Sequence, residues 1–481
     1  MNFSLILVIF LFLIPLIGGA LSYVEAFFFY GGVIYLLFIS KWADSYRQRT
    51  SFLDKYQIIL LILAIISVIF SKNISLSYYY LINLIFISTF LDLVLRHVKA
   101  KVFFQYLLYF SFLYSFIFLL NKIGLIPLSK DSYGDNFILQ VWGHSYLAEL
   151  LVFPIITIFY QLISKQKVYP YSKLLNYLIL LFLIICLFLT HSRSAFITIF
   201  VCISYLIITS FKSFKQKIFY CIVTIILTLC AYFLLSQNAT KTIDGNRLEY
   251  WHQAYQAFIN RPFFGYGPNN FHYINKLFES RAYTNNNHAH NSPLEYLSTY
   301  GLFFTAFFYF LIFSALIYQK KHSPLNFILG LTGIINSLFE SSWRSLGIFC
   351  LSLFFIFYNY PKLYTANKSI HKHFSVLKYF LLIIFLSKTL SDLASADKKY
   401  LLGVSLDPFN PNPRINLIRQ GVNLKSNSIF LANHTSSYIY LINNQKPQPS
   451  NLLYFHKIIN LNPRESISEY TQLSKYYYQN K

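Results

Sequence analysis

The chain has 481 residues, of which 56% are hydrophobic and only 12% charged, with a mean hydropathy of +0.48. A soluble protein of this length needs far more polar surface, so these values exclude a water-soluble fold and indicate a polytopic membrane protein. The net charge of +23 suggests nucleic acid at first sight, but the basic residues concentrate in short loops between apolar runs, a topology signal that leaves nucleic acid no role.

Apolar runs of about 17–25 residues match the hydrocarbon thickness of a bilayer. Thirteen such runs are expected, near 3–20, 22–40, 56–71, 76–95, 102–121, 146–164, 174–190, 195–211, 218–235, 293–318, 324–341, 345–360 and 374–392. The first run resembles a signal peptide in its apolar content but lacks a basic n-region. Cysteines 186, 202, 221, 230 and 350 all fall inside apolar runs and read as small buried hydrophobes.

Alternate connections are basic. One set carries nineteen Lys and Arg residues, from Lys41, Arg47, Arg49 and Lys55 through Arg96, Lys99 and Lys101 to Lys320, Lys321 and the group ending at Lys378. The other set of short loops carries five: Lys72, Lys122, Lys130, Arg193 and Arg344. By the positive-inside rule the first set is cytoplasmic, the N-terminus inside and residue 393 onward outside. Asp92 stands four residues before Arg96, the spacing of a helical ion pair.

Residues 236–292 form a polar external loop, too long for a simple connector. Within it, "NRLEYWHQAYQAFIN" places Leu248, Trp251, Tyr255 and Phe258 at spacings that suit an amphipathic helix with those side chains on its apolar face. "RPFFGYGPNNF" follows as a turn, in which Gly265 and Gly267 permit tight geometry. Beyond 393 the tail reads as a small external helical region with a weak tetratricopeptide-like pattern.

Polar residues gather at external helix ends: "THSRSAF" (190–196), "GNRLEYW" (245–251), "NNNHAHNSPLEY" (285–296) and "FESSWRS" (339–345). Glu25, His144 and Glu149 also lie near external ends, where they could line a cavity or sit in the interface. Glu340 and Arg344 could pair across their turn. Arg193 and Arg247 each could be a snorkelling or solvated charge. Together on one face they suit a diphosphate, which a guanidinium binds bidentately. His288 and His290 form an H-x-H that could bind metal, act as acid or base, or merely cap a helix. A zinc site needs a third protein ligand. Glu295, His252 or His272 could supply it, but no spacing compels this.

The order "HSRSAF", a large loop with "GNRLEYWHQAYQAFINRPFFGYGPNNF", then "HAHNSPLEYLSTYG" resembles the bacterial O-antigen ligase and polymerase superfamily, which includes protein O-oligosaccharyltransferases. The best-defined element is a histidine, Asn, nine residues and Gly, here His290, Asn291 and Gly301. The resemblance covers roughly 140–345. It implies an all-α fold similar to C-type glycosyltransferases, with about 12–13 transmembrane helices in a transferase domain over 1–392. It also implies transfer of a glycan from a polyprenyl diphosphate carrier, such as undecaprenyl diphosphate, to a glycolipid, glycan or protein acceptor. The setting would be the outer face of the bacterial cytoplasmic membrane, without metal or other cofactor. Carried over by position, Arg193 and Arg247 match the arginines associated with carrier diphosphate, His290 the essential histidine, and His288 its frequent companion. His288, Asn291, Glu295 and Trp251 are expected to contact substrate. Ligase-type transfer is favoured over polymerase or protein glycosylation, with a lipid-linked glycan transporter as the non-enzymatic alternative. One departure is Phe304, where the ligase pattern often has a small residue three positions after Gly301.

Overall fold

A computed structural model describes residues 3–13, 30–36, 39, 53–72, 74–125, 129–130, 136–137, 144–164, 166, 168–210, 213–216, 218–219, 222, 244–278, 288–340, 343, 346–358 and 360. The expected span at 374–392, nearly all of that at 218–235, Glu25, Arg344, Cys221, Cys230 and the tail from 393 lie outside the described residues.

The described helices, in chain order, are α1 (Phe3–Leu13), α2 (Leu53–Ile69), α3 (Ile74–His97), α4 (Ala100–Lys122), α5 (His144–Ser164), α6 (Lys173–Leu189), α7 (Arg193–Ser210), α8 (Asp244–Asn260), α9 (Phe271–Leu277), α10 (Ser292–Tyr300), α11 (Leu302–His322), α12 (Pro324–Phe339) and α13 (Leu346–Phe357). A two-residue antiparallel pair, Ser129–Lys130 with Asn136–Phe137, is a minor exception to the all-α architecture. Among the described residues, stretches of α3, α4, α5, α7 and α11 are long and apolar enough to cross a membrane, and the chain is an all-α polytopic membrane protein. The expected runs fall on these helices because, in hydrocarbon, the helix satisfies every backbone polar group within its own segment.

Short turns make successive helices antiparallel and sort the polar residues by end. Arg96, Lys99, Lys101, Lys173, Lys320 and Lys321 cluster at turns on one end. The α2–α3, α6–α7 and α12–α13 junctions lie at the other. Asp92 and Arg96 pair at 2.8 Å, as their spacing predicted. Cys186, Cys202 and Cys350 are buried free thiols.

The apolar run expected as one span over 293–318 is two helices. The chain breaks at Gly301, which has φ +82° and caps both α10 and α11. A Cβ there would collide with the carbonyl of Phe263, and one on Gly265 (φ +65°) with that of Thr299. The turn 262–267 and the end of α10 thus meet backbone to backbone. Leu302 N–H donates to Pro262 O (2.7 Å), Tyr266 N–H to Ser298 O (3.0 Å) and Gly267 N–H to Thr299 O (2.8 Å). Continuous hydropathy conceals such a break, because the requirement is for backbone proximity and a left-handed φ.

The same turn is stapled to the α2–α3 junction. The Ser67 hydroxyl donates to Phe264 O, Ser77 to Pro268 O, and Asn270 Nδ2 to the hydroxyls of Ser71 and Ser77. Backbone Lys72 N–H donates to Tyr266 O at 3.0 Å. These bonds fix the turn that follows α8 on the bundle.

The loop helix α8 forms where expected but buries a different face. Leu248 is 68% exposed and Tyr255 51%, whereas Tyr250, Gln253, Ala254 and Ala257 are buried. Two alanines let α8 approach its neighbours closely, and they form a small apolar cluster with Tyr250, Tyr266, Phe271, Ile274 and Ala289. Gln253 is satisfied in that interior by Asn275, whose Nδ2 donates to its Oε1 at 2.8 Å.

Candidate active site

Three elements converge at the loop end of the bundle: the first turns of α8, the entrance to α10 and the end of α12. Glu340 caps the C-terminus of α12, with its N–H donated to Asn336 O. One of its oxygens, Oε1, accepts from Arg247 Nη2 at 2.7 Å, and Oε2 lies 3.2 Å from His290 Nδ1. Arg247 Nη1 also donates to the Phe339 carbonyl at 2.9 Å. Arg247 is therefore clamped to the end of α12 by two of a guanidinium's five N–H groups. Burial disfavours the Glu340 charge, but the His290 hydrogen bond and the Arg247 charge outweigh it and pull its pKa down to about 2.

His290 is held by more than this contact. Its φ is +50°, uncommon for a residue with a side chain. The Tyr250 ring lies over the imidazole with centroids 6.2 Å apart. Asn291 follows as the N-cap of α10, accepting the Leu294 N–H at 3.0 Å while its Nδ2 donates to Leu338 O at 3.0 Å. One residue thus starts the helix and ties it to α12 next to Glu340.

His288 faces elsewhere. Its Nδ1 lies 3.6 Å from Glu295 Oε1, and Glu295 Oε2 accepts the Ala289 N–H at 3.2 Å. Glu295 therefore closes the H-x-H turn, and the two histidines do not converge on a common carboxylate.

Arg193 opens α7, after a turn in which His191 takes φ +55°. Its height follows from a polar seam between α7 and α12, where the Thr198 hydroxyl donates to Asn336 Oδ1 at 2.5 Å. Arg193 is five residues before Thr198, about 7.5 Å along the helix, and Glu340 is four residues after Asn336, about 6 Å. The helices run in opposite directions, so both groups stand at the same end of the bundle. Trp251 shares a helical face with Arg247, one turn on, and its buried indole Nε1 has no hydrogen-bond partner among the described residues.

The arrangement joins two expected site residues, His290 and Arg247, through a third that the sequence did not single out for this role. Glu340 pairs with both; Arg344, the partner expected across its turn, lies outside the described residues. Phe304, the departure from the ligase pattern, is buried and stacks on Tyr300 at 4.2 Å, within an aromatic cluster that includes Tyr296, Phe308 and Trp343. Its bulk is a packing element beneath α10.

A polar, ion-paired site at one end of an apolar helical bundle defines a multi-pass membrane protein with an enclosed charged centre. Residues 178–309 match the family model described as O-antigen ligase. The matched region contains Arg193, Arg247 and His290, and over it the chain carries the features of the O-antigen ligase superfamily. That family supports ligase- or polymerase-type activity and, broadly, a glycosyltransferase-like enzyme acting on lipid-linked glycans. Glu340 lies outside the matched region. No curated protein matches the chain in sequence.

Proposed function

We propose that the protein transfers a glycan from a polyprenyl diphosphate carrier to an acceptor hydroxyl, in the manner of an O-antigen ligase, at the outer face of the bacterial cytoplasmic membrane. The observation that carries this reading is the Arg247–Glu340–His290 network. A glycosyl diphosphate already has a good leaving group, so the protein must neutralise charge developing on phosphate oxygens and activate an acceptor hydroxyl. Arg247 and Arg193, at one end of the bundle, supply fixed positive charge for the first task.

His290 serves the second. An ionised Glu340 beside Nδ1 favours the tautomer with its proton on Nδ1, leaving the lone pair on Nε2. The Nε2 nitrogen takes the acceptor hydroxyl proton as the oxygen bonds to the anomeric carbon, while the bond to the carrier diphosphate breaks and its electron pair leaves with the phosphate. Glu340 stabilises the imidazolium that forms. Arg193, Arg247 and His290 are the catalytic residues, and Trp251 borders the bound glycan. Asn291, His288 and Glu295 shape the loop that presents His290. Charge neutralisation by guanidiniums makes the reaction metal-independent, a reading supported by the divergence of the two histidines. The basic turns at the far end of the bundle support the outward orientation.

Purified protein in lipid, given a polyprenyl-diphosphate-linked glycan and separate lipid, glycan and peptide acceptors, tests this reading by mass spectrometry of the products. Transfer to a lipid acceptor is expected. Transfer only to a growing glycan or to peptide would make it a polymerase or a protein glycosyltransferase. Movement of the intact lipid-linked glycan across the bilayer without transfer would make it a transporter.

A further inference from the structure

The turn that follows α8 carries a surface with no part in the chemistry above. Phe70 and Phe263 are each 53% exposed and Phe303 is 47% exposed. Phe264 joins them: its ring stacks on Phe70 at 4.6 Å and lies 5.9 Å from Phe303, which in turn stacks on Phe263 at 5.5 Å. Four rings from the end of α2, the turn and the start of α11 thus form one apolar patch. The backbone cannot fold the rings away from solvent, because the turn is hydrogen-bonded both to α10 and to the α2–α3 junction. A fixed, exposed aromatic patch of this kind marks a contact surface.

Its borders say what covers it. Toward the bundle, exposed apolar side chains continue along α2 at Ile62, Ile65 and Ile69 and along α11 at Phe310 and Ile317. Spacings of three, four or seven residues keep each row on one helix face. On the membrane-spanning α11 such a row faces hydrocarbon, so the patch prolongs the lipid-facing surface past the helix ends. Two cations stand beside it. The Arg261 guanidinium lies 4.9 Å over the Tyr266 ring and donates to the Phe70 carbonyl at 3.4 Å, which uses one of its five N–H groups. Lys72 is exposed two residues after Phe70, its backbone held by Tyr266 O. Aromatic rings flanked by cations fit the boundary between acyl chains and phosphate headgroups. We propose that this turn is a membrane-interface anchor, with the phenyl rings in that boundary and Arg261 and Lys72 on phospholipid phosphates. Through the bonds of Tyr266 and Gly267 to Ser298 and Thr299, the anchor sets the height of α10, and of His290 just ahead of it, over the bilayer.

Spin labelling tests the anchor without reference to catalysis. Phe263→Cys in a cysteine-free full chain carries a nitroxide in nanodiscs of phosphatidylcholine, with or without phosphatidylglycerol, and its collisions with oxygen and with a water-soluble nickel chelate are compared. Oxygen should dominate, and more strongly with phosphatidylglycerol. Replacing both cations, Arg261→Gln with Lys72→Gln, should abolish the lipid dependence. Dominance of the nickel chelate would place the turn in water and overturn the anchor. An immobile label that neither reagent reaches would mean that the tail or a second copy covers the patch, which also overturns it. A lipid dependence that is absent, or survives in the double variant, would overturn the headgroup contacts. If the cysteine-free chain does not fold, extra quenching of Phe263→Trp over wild type by brominated lipid decides in the same sense. Only the kinetic arm rests on the transfer reading: Phe263→Asp should lower kcat/KM for a lipid-linked donor about tenfold at an unchanged melting temperature. Wild-type kinetics in that variant would overturn the height-setting role, whereas a wild type without transfer would overturn the transfer reading and leave the spectra to decide the anchor.

Discussion

Replacing Glu340 with Gln separates its two duties. The carboxylate pairs with Arg247 at 2.7 Å and with His290 at 3.2 Å, and its pKa is drawn from the ordinary carboxylate value of 4.5 down to about 2. At roughly 1.4 kcal/mol per pKa unit, this preference for the charged form is on the order of 3 kcal/mol. Gln keeps the shape but loses that interaction, leaving Arg247 facing a neutral amide. If His290 depends on the carboxylate for its tautomer and for stabilising its charged form, the same energy appears in the barrier, and kcat should fall about 100-fold. Donor affinity should hold or improve, because the guanidinium no longer has an internal anion competing with diphosphate. The assay is donor-dependent transfer kinetics in nanodiscs, with a thermal melt to show that the variant is folded. A folded Glu340→Gln with kcat within about threefold of wild type, or one that loses donor binding at unchanged kcat, would refute the reasoning.

Three further outcomes follow from the geometry. Gly301→Ala forces a Cβ onto the Phe263 carbonyl at a left-handed φ and should destabilise the protein by about 1–3 kcal/mol or more, read as a lowered melting temperature with loop-linked loss of transfer. Glu340 gives a signed pH effect. Because its folded pKa is depressed, its contribution to stability is complete above the unfolded value and is lost as pH falls toward about 2; the gap in melting temperature between wild type and Glu340→Gln should therefore stay constant from about pH 7 to 5 and close on further acidification. For sidedness, Asn260→Cys and Ser323→Cys in a cysteine-free background should react with an impermeant maleimide from opposite faces, Asn260→Cys from outside. Labelling of both from one face would reverse the orientation argument.

The helices were legible because hydropathy and length are local properties, and α3, α4, α5 and α7 fall within a few residues of their expected ranges. The break at Gly301 was not, since it depends on a carbonyl brought in by the turn at 262–267. The buried face of α8 was misjudged for a related reason: Leu248 and Tyr255 stand out by size, yet the contact is made by Ala254 and Ala257, whose value lies in their smallness. His290 and Arg247 could be found from motif order. Their meeting point could not, because Glu340 is 50 residues from one and 93 from the other, and nothing local marks it as their partner. Arg193 was legible as a position at the loop end, and the α7–α12 seam through Thr198 and Asn336 supports that placement.

The most direct test of the account is single-turnover release of polyprenyl diphosphate from glycan-loaded carrier, with acceptor present, in wild type and His290→Ala. Release coupled to glycoside formation in wild type, and slowed by at least about 100-fold in a folded His290→Ala that still binds the donor, is the predicted result. Equal rates in the two proteins would remove His290 from the reaction and contradict the assignment of the Arg247–Glu340–His290 network as the catalytic centre.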